Sequence, residues 1–425
     1  MKTNKIILIF LVFSFGMLSA SGVHADTGLY SLLQQKTRDY YPEAVKIRRH
    51  LHQFPEPCFK ENKTSQFIAD YLKKLGLNVQ TGIAGTGIKA VLEGTVAQPV
   101  MGIRADMDAL PILEMTGFAF ASQNKGFMHA CGHDAHITNA LMAARILSEC
   151  KEKIPGTIVF IFQPCEEGTP DGSPSGADQM IAAGALENPK IGAMVGLHVM
   201  PGYPAGQVAL REGPIMANVA SVFITIHGKA SHGALPHQGV DAIYAASTAI
   251  VQFQSLISRN KDPNERGVLT IGTIKGGVRL NVIADKVEME GTVRTFSFDT
   301  QDKIQQGMEN ILKGLGIATG ITYDFRFEKT NMFVENDPPL TRQVVPVFRQ
   351  LLGEGNVRVT DPLTIGEDFA VYSNKVPSLL FFLGAGEKGA LHTPDFSVAE
   401  DTFYYGPLLL ATAALESLEF LKAQK

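Results

Sequence analysis

Tryptophan is absent from this chain of 425 residues, and cysteine nearly so, with four. Nothing follows from the missing tryptophans. Cys58, Cys131, Cys150 and Cys165 are too sparse for a disulfide scaffold, and a chain this long buries enough apolar surface not to need one. One or two structural bridges, or buried free thiols, both stay open for them. No Lys- or Arg-rich run occurs, and the formal net charge is only −4, which argues against a broad basic face for nucleic acid. Internal repeats and low-complexity segments are missing too. Beyond the first 25 residues, no apolar stretch is long enough for a bilayer span.

What is present begins with an export signal. Lys2 and Lys5 precede an apolar stretch over residues 6–18, and Val23-His24-Ala25 offers a small-residue cleavage site before Asp26. The stretch is short against the roughly 20 residues of a membrane span, and no Cys follows it to take a lipid anchor. The expected mature protein is exported, to the periplasm or beyond, without a membrane attachment. That compartment permits disulfides.

Hydrophobic residues make up 45% and charged residues 19% of the chain, the range of a globular protein. At about 150 residues per domain the length suggests two to three domains. Helical spacing runs over 28–75, stopped at Pro55 and resumed over 64–75, and again over 135–150 and 178–183. Strands are expected at 88–92, 100–103, 157–163 and 193–198. Ile158 to Phe162 are apolar without a break, as in a strand buried on both faces. Strands alternating with helices predict an α/β domain, a mostly parallel central sheet flanked by helices. The middle of the chain reads differently: strand 219–227, helix 242–256, strands 268–274 and 287–296, helix 301–315, strand 321–327. This β-α-β-β-α-β order predicts a small ferredoxin-like α+β domain, inserted over 217–328 between two parts of the first domain, 26–216 and 329–425. The second part carries a helix at 340–352, a strand at 378–383 and a closing helix at 403–421.

Four segments carry the polar chemistry. His129-Ala130-Cys131-Gly132-His133-Asp134 lies before a helix, and its Cys and His, two apart on a Gly turn, can aim a thiolate and an imidazole at one ion. Asp134 can orient an imidazole from behind. Turn and cap roles suit the same residues. Cys165-Glu166-Glu167-Gly168 follows a buried strand, where α/β folds bind ligands. Adjacent carboxylates there need something positive nearby, unless the loop is simply solvated. One can ligate metal while the other handles protons. His198 ends another apolar strand, and His392-Thr393-Pro394 follows a third. A lone His at such a place is more often a satisfied core residue. Together Cys131, His133, Glu167, His198 and His392 exceed what one tetrahedral structural zinc takes. Two ions fit them better.

The chain resembles the amidohydrolase branch of the aminoacylase and carboxypeptidase-type metallopeptidases, which includes N-acyl amino acid amidohydrolases, hippurate hydrolases and auxin-conjugate hydrolases. The resemblance runs through His52-Gln53-Phe54-Pro55-Glu56, Arg104-Ala105-Asp106-Met107-Asp108, the cluster ending His133-Asp134, Gly228-Lys229-Ala230-Ser231-His232, Gly291-Thr292-Val293-Arg294-Thr295, Glu367-Asp368-Phe369 and His392-Thr393-Pro394. It implies a di-metal catalytic domain and a lid or dimerisation role for the inserted one. Cys131, His133, Glu167, His198 and His392 are then the metal ligands and Glu166 the general base. In that scheme two ions acidify a bridging water, and Glu166 takes its proton and passes it to the leaving amine. Zinc or manganese is expected, with cobalt or nickel also admitted by the donor set. Asp108 and Asp134 become supports behind the ligands. His232 is implied to polarise the scissile carbonyl, often in the partner subunit of a homodimer, although a surface His in a Gly-rich loop reads the same way; His237 is similar. Asn281 and Arg294 are candidates for the substrate carboxylate, Arg294 through its planar fork.

The pattern is broken in three places. Cys165 stands where a small Ala is usual, Ala284 where Pro is common, and Ile365-Gly366 where two small residues are usual. With Cys131 and Cys165 both bordering the site, a Cys131–Cys165 disulfide becomes conceivable in the oxidised, metal-free protein. The plainer expectation for Cys165 is a small buried apolar residue. The activity expected is hydrolysis of the amide bond of an N-acyl amino acid. A dipeptidase or carboxypeptidase of the same clan is the alternative, disfavoured by Cys131 where those relatives typically carry Asp. A non-catalytic exported binding protein is a further alternative, disfavoured by the presence of Glu166.

Overall fold

The structure is a computed structural model and describes residues 27–169 and 172–424. The expected export signal lies outside the described residues. In chain order, α1 (Thr27–Gln53) and α2 (Asn62–Lys74) precede β1 (Asn78–Ile83), β2 (Gly87–Glu93) and β3 (Val100–Asp106). Next come α3 (His133–Ser148), β4 (Thr157–Gln163), α4 (Gly176–Ala182), β5 (Ala193–Met200), β6 (Val208–Leu210) and β7 (Gly213–Met216). The middle supplies β8 (Asn218–His227), α5 (Ala242–Ser255), β9 (Gly267–Gly276), β10 (Lys286–Thr295), α6 (Phe298–Thr319) and β11 (Thr322–Asn331). The chain closes with β12 (Val334–Asn336), α7 (Pro338–Leu352), β13 (Val357–Val359), α8 (Ala370–Ser373), β14 (Ser378–Gly384) and α9 (Thr402–Ala423).

Eight strands form one sheet in the order β1-β2-β4-β3-β5-β14-β6-β13. Its middle, β4-β3-β5-β14, is parallel throughout. β2 and β6 flank that middle antiparallel. Alternation along each central strand divides the core into two layers. Ile158, Phe160 and Phe162 of β4, with Leu379, Phe381 and Leu383 of β14, pack under α1, α2, α3, α7 and α9. Val159, Ile161, Leu380 and Phe382 face the other way, against Met180 of α4 and Tyr372 of α8. Each such side chain, fully buried, contributes roughly 1.5–3 kcal/mol. α9 is apolar nearly all round because α1, α3, α7 and β5 surround it. The parallel strands all end on one edge, and the loops leaving that edge carry the polar clusters.

β8, β9, β10 and β11 form a separate sheet in the order β11-β8-β10-β9, antiparallel at every pairing. This is the ferredoxin-like arrangement. In β8 every second residue is buried, Ala220, Val222, Ile224 and Ile226 among them, against Ala246, Ala249 and Phe253 of α5 and Met308 and Leu312 of α6. A third, two-stranded sheet pairs β12 with β7. Sequence patterning passes over β1, β6, β7, β12 and β13: four of these have three or four residues, and β1 is a largely exposed edge strand with polar Asn78, Gln80 and Thr81. Among the described residues no helix is long and apolar enough to cross a membrane.

Candidate metal centre and active site

The loops after β3, β4, β5 and β14 converge, as α/β sheets require of a site at the carboxyl ends of parallel strands. Between β3 and α3 the chain makes a turn at Gly132, with φ +92°. A Cβ there would lie 2.3 Å from Val199 Cγ2, so only glycine lets the turn close. The turn sets Cys131 before the helix and His133 at its first residue. After β4, Cys165 takes a left-handed φ of +52°, and after β14 His392 takes +63°. Non-glycine residues rarely do so, and such backbone gathers at functional sites.

Cys131 Sγ lies 3.5 Å from His198 Nε2 and 3.3 Å from His392 Nε2. His392 Nε2 is 3.3 Å from Glu167 Oε1, and His133 Nε2 is 3.9 Å from the same oxygen and 3.8 Å from Glu166 Oε2. The donor atoms of Cys131, His133 and Glu167 all fall within 4.8 Å of one another. The five expected ligands therefore meet at one place, with Glu166 beside them. All but the fully buried His133 line a cleft of about 330 Å³ with Met216, Val219, Arg294, Ile365 and Leu391.

Two of the three imidazoles are aimed from behind. His133 Nδ1–H donates to the Asp108 carbonyl at 2.8 Å, and His198 Nδ1–H to the Val199 carbonyl at 2.7 Å. Both turn Nε2 toward the centre, the arrangement that prepares a metal-ligating His. The Asp108 carboxylate accepts the backbone N–H groups of Glu166 and Glu167 at 2.9 and 3.2 Å, fixing the turn that presents both. Asp134 is placed elsewhere. Its carboxylate holds Arg48 and His52, at 3.0 and 2.8 Å, and touches none of the five.

Whether these side chains suit a divalent cation is tested by what they lack. His133 Nε2 and Glu167 Oε1 are buried with no hydrogen-bond partner. Such atoms cost free energy unless something fills the place between them. Burial pulls the His133 imidazole down, but Asp106, Asp108 and Glu167 together raise it to about 10. Burial, followed by Glu167, Glu166 and Asp106, pushes the Cys131 thiol well up. A cluster this anionic calls for positive charge at its centre, and divalent ions supply it while turning the thiol into a thiolate. Burial, with help from His136, lowers His198 to about 4, leaving the neutral imidazole that a metal needs. The residues fit a metal centre.

Sequence patterning singled out no role for the supports beneath it. Arg104 is buried and holds Asp106 at 2.7 Å, Asp368 at 2.7 Å and Glu367 at 2.9 Å. Gln163 donates to both Asp368 oxygens at 2.8 Å. His136 belongs to the same layer: Nδ1–H donates to Asp106 at 2.6 Å, and Nε2 accepts from the Val199 N–H at 2.9 Å. With both nitrogens used it has none to give a metal. The available signal was β3's period, which puts Arg104 and Asp106 on one face.

The cysteines require a correction. Cys165 is bonded to Cys58, not to Cys131, and Cys131 and Cys150 are buried free thiols. Cys131 faces His198 and His392, while Cys165 is held to the segment between α1 and α2: its N–H donates to Glu61 Oε1 at 3.1 Å. Cys165 is thus neither a partner for Cys131 nor simply a small buried apolar residue.

Of the outer candidates, Arg294 lines the cleft and donates to the Thr364 carbonyl at 3.0 Å. His232 and Asn281 do not line it. They sit together at the tip of the second sheet, where His232 pairs with Val282 and the Gly233 N–H donates to the Asn281 carbonyl. Both are exposed, as is His237.

Residues 102–416 match the model of peptidase family M20/M25/M40. The chain belongs to that family. The N-acetyl-L-cysteine deacetylase of Bacillus subtilis is 37% identical over 379 residues, 89% of this chain and 88% of the relative. A Bacillus subtilis crystal structure described as a dinuclear metal binding peptidase of the M20 family is 31% identical at a TM-score of 0.78, covering 90% of this chain and 99% of that one. A crystal structure from methicillin-resistant Staphylococcus aureus aligns at a TM-score of 0.84 and 35% identity, over 92% of this chain and 100% of that one. As a member of the M20 family the chain is a metallo-amidohydrolase.

Proposed function

We propose that the protein hydrolyses the amide bond of N-acyl amino acids, releasing a carboxylic acid and a free amino acid. The observation that carries this is the ring of Cys131, His133, Glu167, His198 and His392, with Glu166 beside it and the Arg294 guanidinium on the same cleft wall. Divalent ions held there, zinc or manganese in first place, supply Lewis acidity for the water and the carbonyl. Glu166 receives the water's proton and hands it to the departing nitrogen. Burial, then Glu367, Glu167 and Asp368, raise its carboxyl well above the usual range, which brings a carboxylate toward the basicity that proton shuttling at neutral pH demands. Arg294 pairs with the substrate carboxylate. The similarity to a deacetylase of an N-acetylated amino acid supports this reading, and so does the thiol at position 131.

The second sheet, residues 217–328, serves in this reading as a lid and dimerisation module. β9 is one of its two edge strands, and Tyr244, Val251, Val278 and Leu280 are exposed apolar residues around it. In a homodimer His232 and Asn281 reach the partner's cleft, which is why neither lines its own. Export after cleavage near Ala25 accords with the Cys58–Cys165 disulfide, since such bonds persist in oxidising compartments.

Arg294 provides the test. A charged hydrogen bond is worth about 1.5–3 kcal/mol, so Arg294→Ala lowers kcat/KM by roughly 10- to 100-fold for an N-acyl amino acid, mainly through KM. The corresponding N-acyl amino acid amide, which has no carboxylate, loses little. Equal losses for both substrates would remove Arg294 from carboxylate recognition.

A further inference from the structure

We propose that the Cys58–Cys165 disulfide positions Glu166, so that activity depends on this bond being oxidised. The inference rests on the reading of Glu166 as the base.

Cys165 is the residue immediately before Glu166, and it stands in a left-handed conformation that an L side chain rarely adopts. The turn from Cys165 to Gly168 follows β4 directly, so the backbone angle at Cys165 decides where the next two peptide N–H groups point. Both point at the Asp108 carboxylate. Three ties hold Cys165 there. Its N–H donates to Glu61 Oε1 at 3.1 Å, its carbonyl accepts from the Gly176 N–H at 3.0 Å, and its sulfur is bonded to Cys58.

Two of these ties lead to one place, the irregular segment between α1 and α2. Glu61 is buried in it and also accepts from the Phe59 N–H at 3.0 Å and the Thr86 hydroxyl at 2.6 Å. That segment also reaches Asp108 from its other side: Pro57 pairs with Ala109, and the Ala109 N–H donates to the Glu56 carbonyl at 2.9 Å. Residues 56–61 therefore hold both the carboxylate that orients the Glu166 turn and the residue that begins it. The disulfide is the covalent part of this clamp. Without it, Cys165 is free to relax from its left-handed angle, and the peptides bearing Glu166 and Glu167 rotate away from Asp108.

A dithiol can open the bond. Cys165 is fully buried and Cys58 only half-buried, so attack is assigned to Cys58 Sγ. A thiolate of the reductant attacks Cys58 Sγ and expels Cys165 as a thiolate, which takes up a proton. The second reductant thiol then attacks the mixed disulfide and releases Cys58. Two electrons and two protons pass to the protein, and the reductant leaves as its own disulfide.

The experiment uses the metal-loaded protein and four variants: Cys58→Ala, Cys165→Ala, Cys165→Gly and Glu166→Gln. Cys58→Ala is expected to lose at least tenfold in kcat, with KM within twofold, when assayed at saturating metal. The acid limb of its pH–kcat profile moves, because the surroundings of Glu166 have changed. Cys165→Gly retains more activity than Cys165→Ala, since glycine adopts the left-handed angle freely. Treating the wild type with a dithiol, followed by reloading of metal, brings it to the level of Cys58→Ala and leaves that variant unchanged. Reoxidation restores the wild type. Undiminished kcat in Cys58→Ala, with a lower Tm alone, would overturn the inference and leave the bond a staple. So would an equal loss in Cys165→Gly and Cys165→Ala. Full activity in Glu166→Gln would instead refute the base assignment on which all of this stands.

Discussion

Glu166→Gln is expected to lower kcat by about 10²- to 10⁴-fold, the usual contribution of a positioned proton-transfer group, while KM and metal content change little. The amide is nearly isosteric and keeps an oxygen to accept the Asp368 N–H, which donates to Glu166 Oε1 at 3.4 Å. Its neighbours and the metal-ligand ring therefore stay in place. What it loses is basicity. In the native site burial and the charges of Glu367, Glu167 and Asp368 push the carboxyl up, and Arg104 draws it back. The substitution removes the proton acceptor and nothing else, so the loss falls on kcat. Steady-state kinetics with metal analysis on the same preparation checks this. A parallel loss of metal would assign Glu166 to ligation.

Cys131→Ala is expected to be as damaging by a different route. The thiol sits between His198 and His392 and close to Glu167, so it touches both halves of the ligand ring. Removing it leaves the histidines and carboxylates with no shared donor. The metal-dependent rise in stability should shrink: a ligand at 100 times its dissociation constant stabilises the native state by about 2.7 kcal/mol, and a weakened centre forfeits most of that. Thermal melting with and without added zinc or manganese reads the difference. The metal-free variant should melt close to the metal-free wild type, because deleting one buried sulfur changes little else. Cys131→Asp, which returns an anionic donor to the same place, should recover part of the metal-dependent shift. An undiminished shift in Cys131→Ala would exclude the thiol as a ligand.

Part of this site was legible in the sequence because Glu166, Glu167 and His198 stand at or just after the ends of buried parallel strands. A strand such as 157–163, apolar on both faces, announces a buried position, and whatever polar group follows it lies at the sheet's carboxyl edge. Cys131, His133, Glu166, Glu167, His198 and His392 were all found that way or through motif resemblance. The Cys58–Cys165 pairing was not legible, since the two lie 107 residues apart and nothing local to Cys58 marks it. Arg104, Glu367 and Asp368 were quoted as motif letters without a role, because their role is to neutralise one another beneath the ligands, and only the fold brings β3 beside the loop after β13. Asp134 was expected behind a ligand, yet it stands on the first turn of α3 facing α1, where Arg48 and His52 meet it. The position of His232 and Asn281 at the far tip of the second sheet follows from the length of β8 and β10, which local patterning cannot translate into distance from the cleft.

The measurement that bears most directly on the whole account is hydrolysis of a panel of N-acyl amino acids and dipeptides by the mature protein, stripped of metal and then titrated with zinc, manganese, cobalt and nickel one at a time. No turnover is expected in the stripped protein, with recovery that levels off at two equivalents per chain and a clear preference for N-acyl amino acids over dipeptides. Tight binding of two ions without turnover of any member of the panel, or turnover that prefers dipeptides, would contradict it.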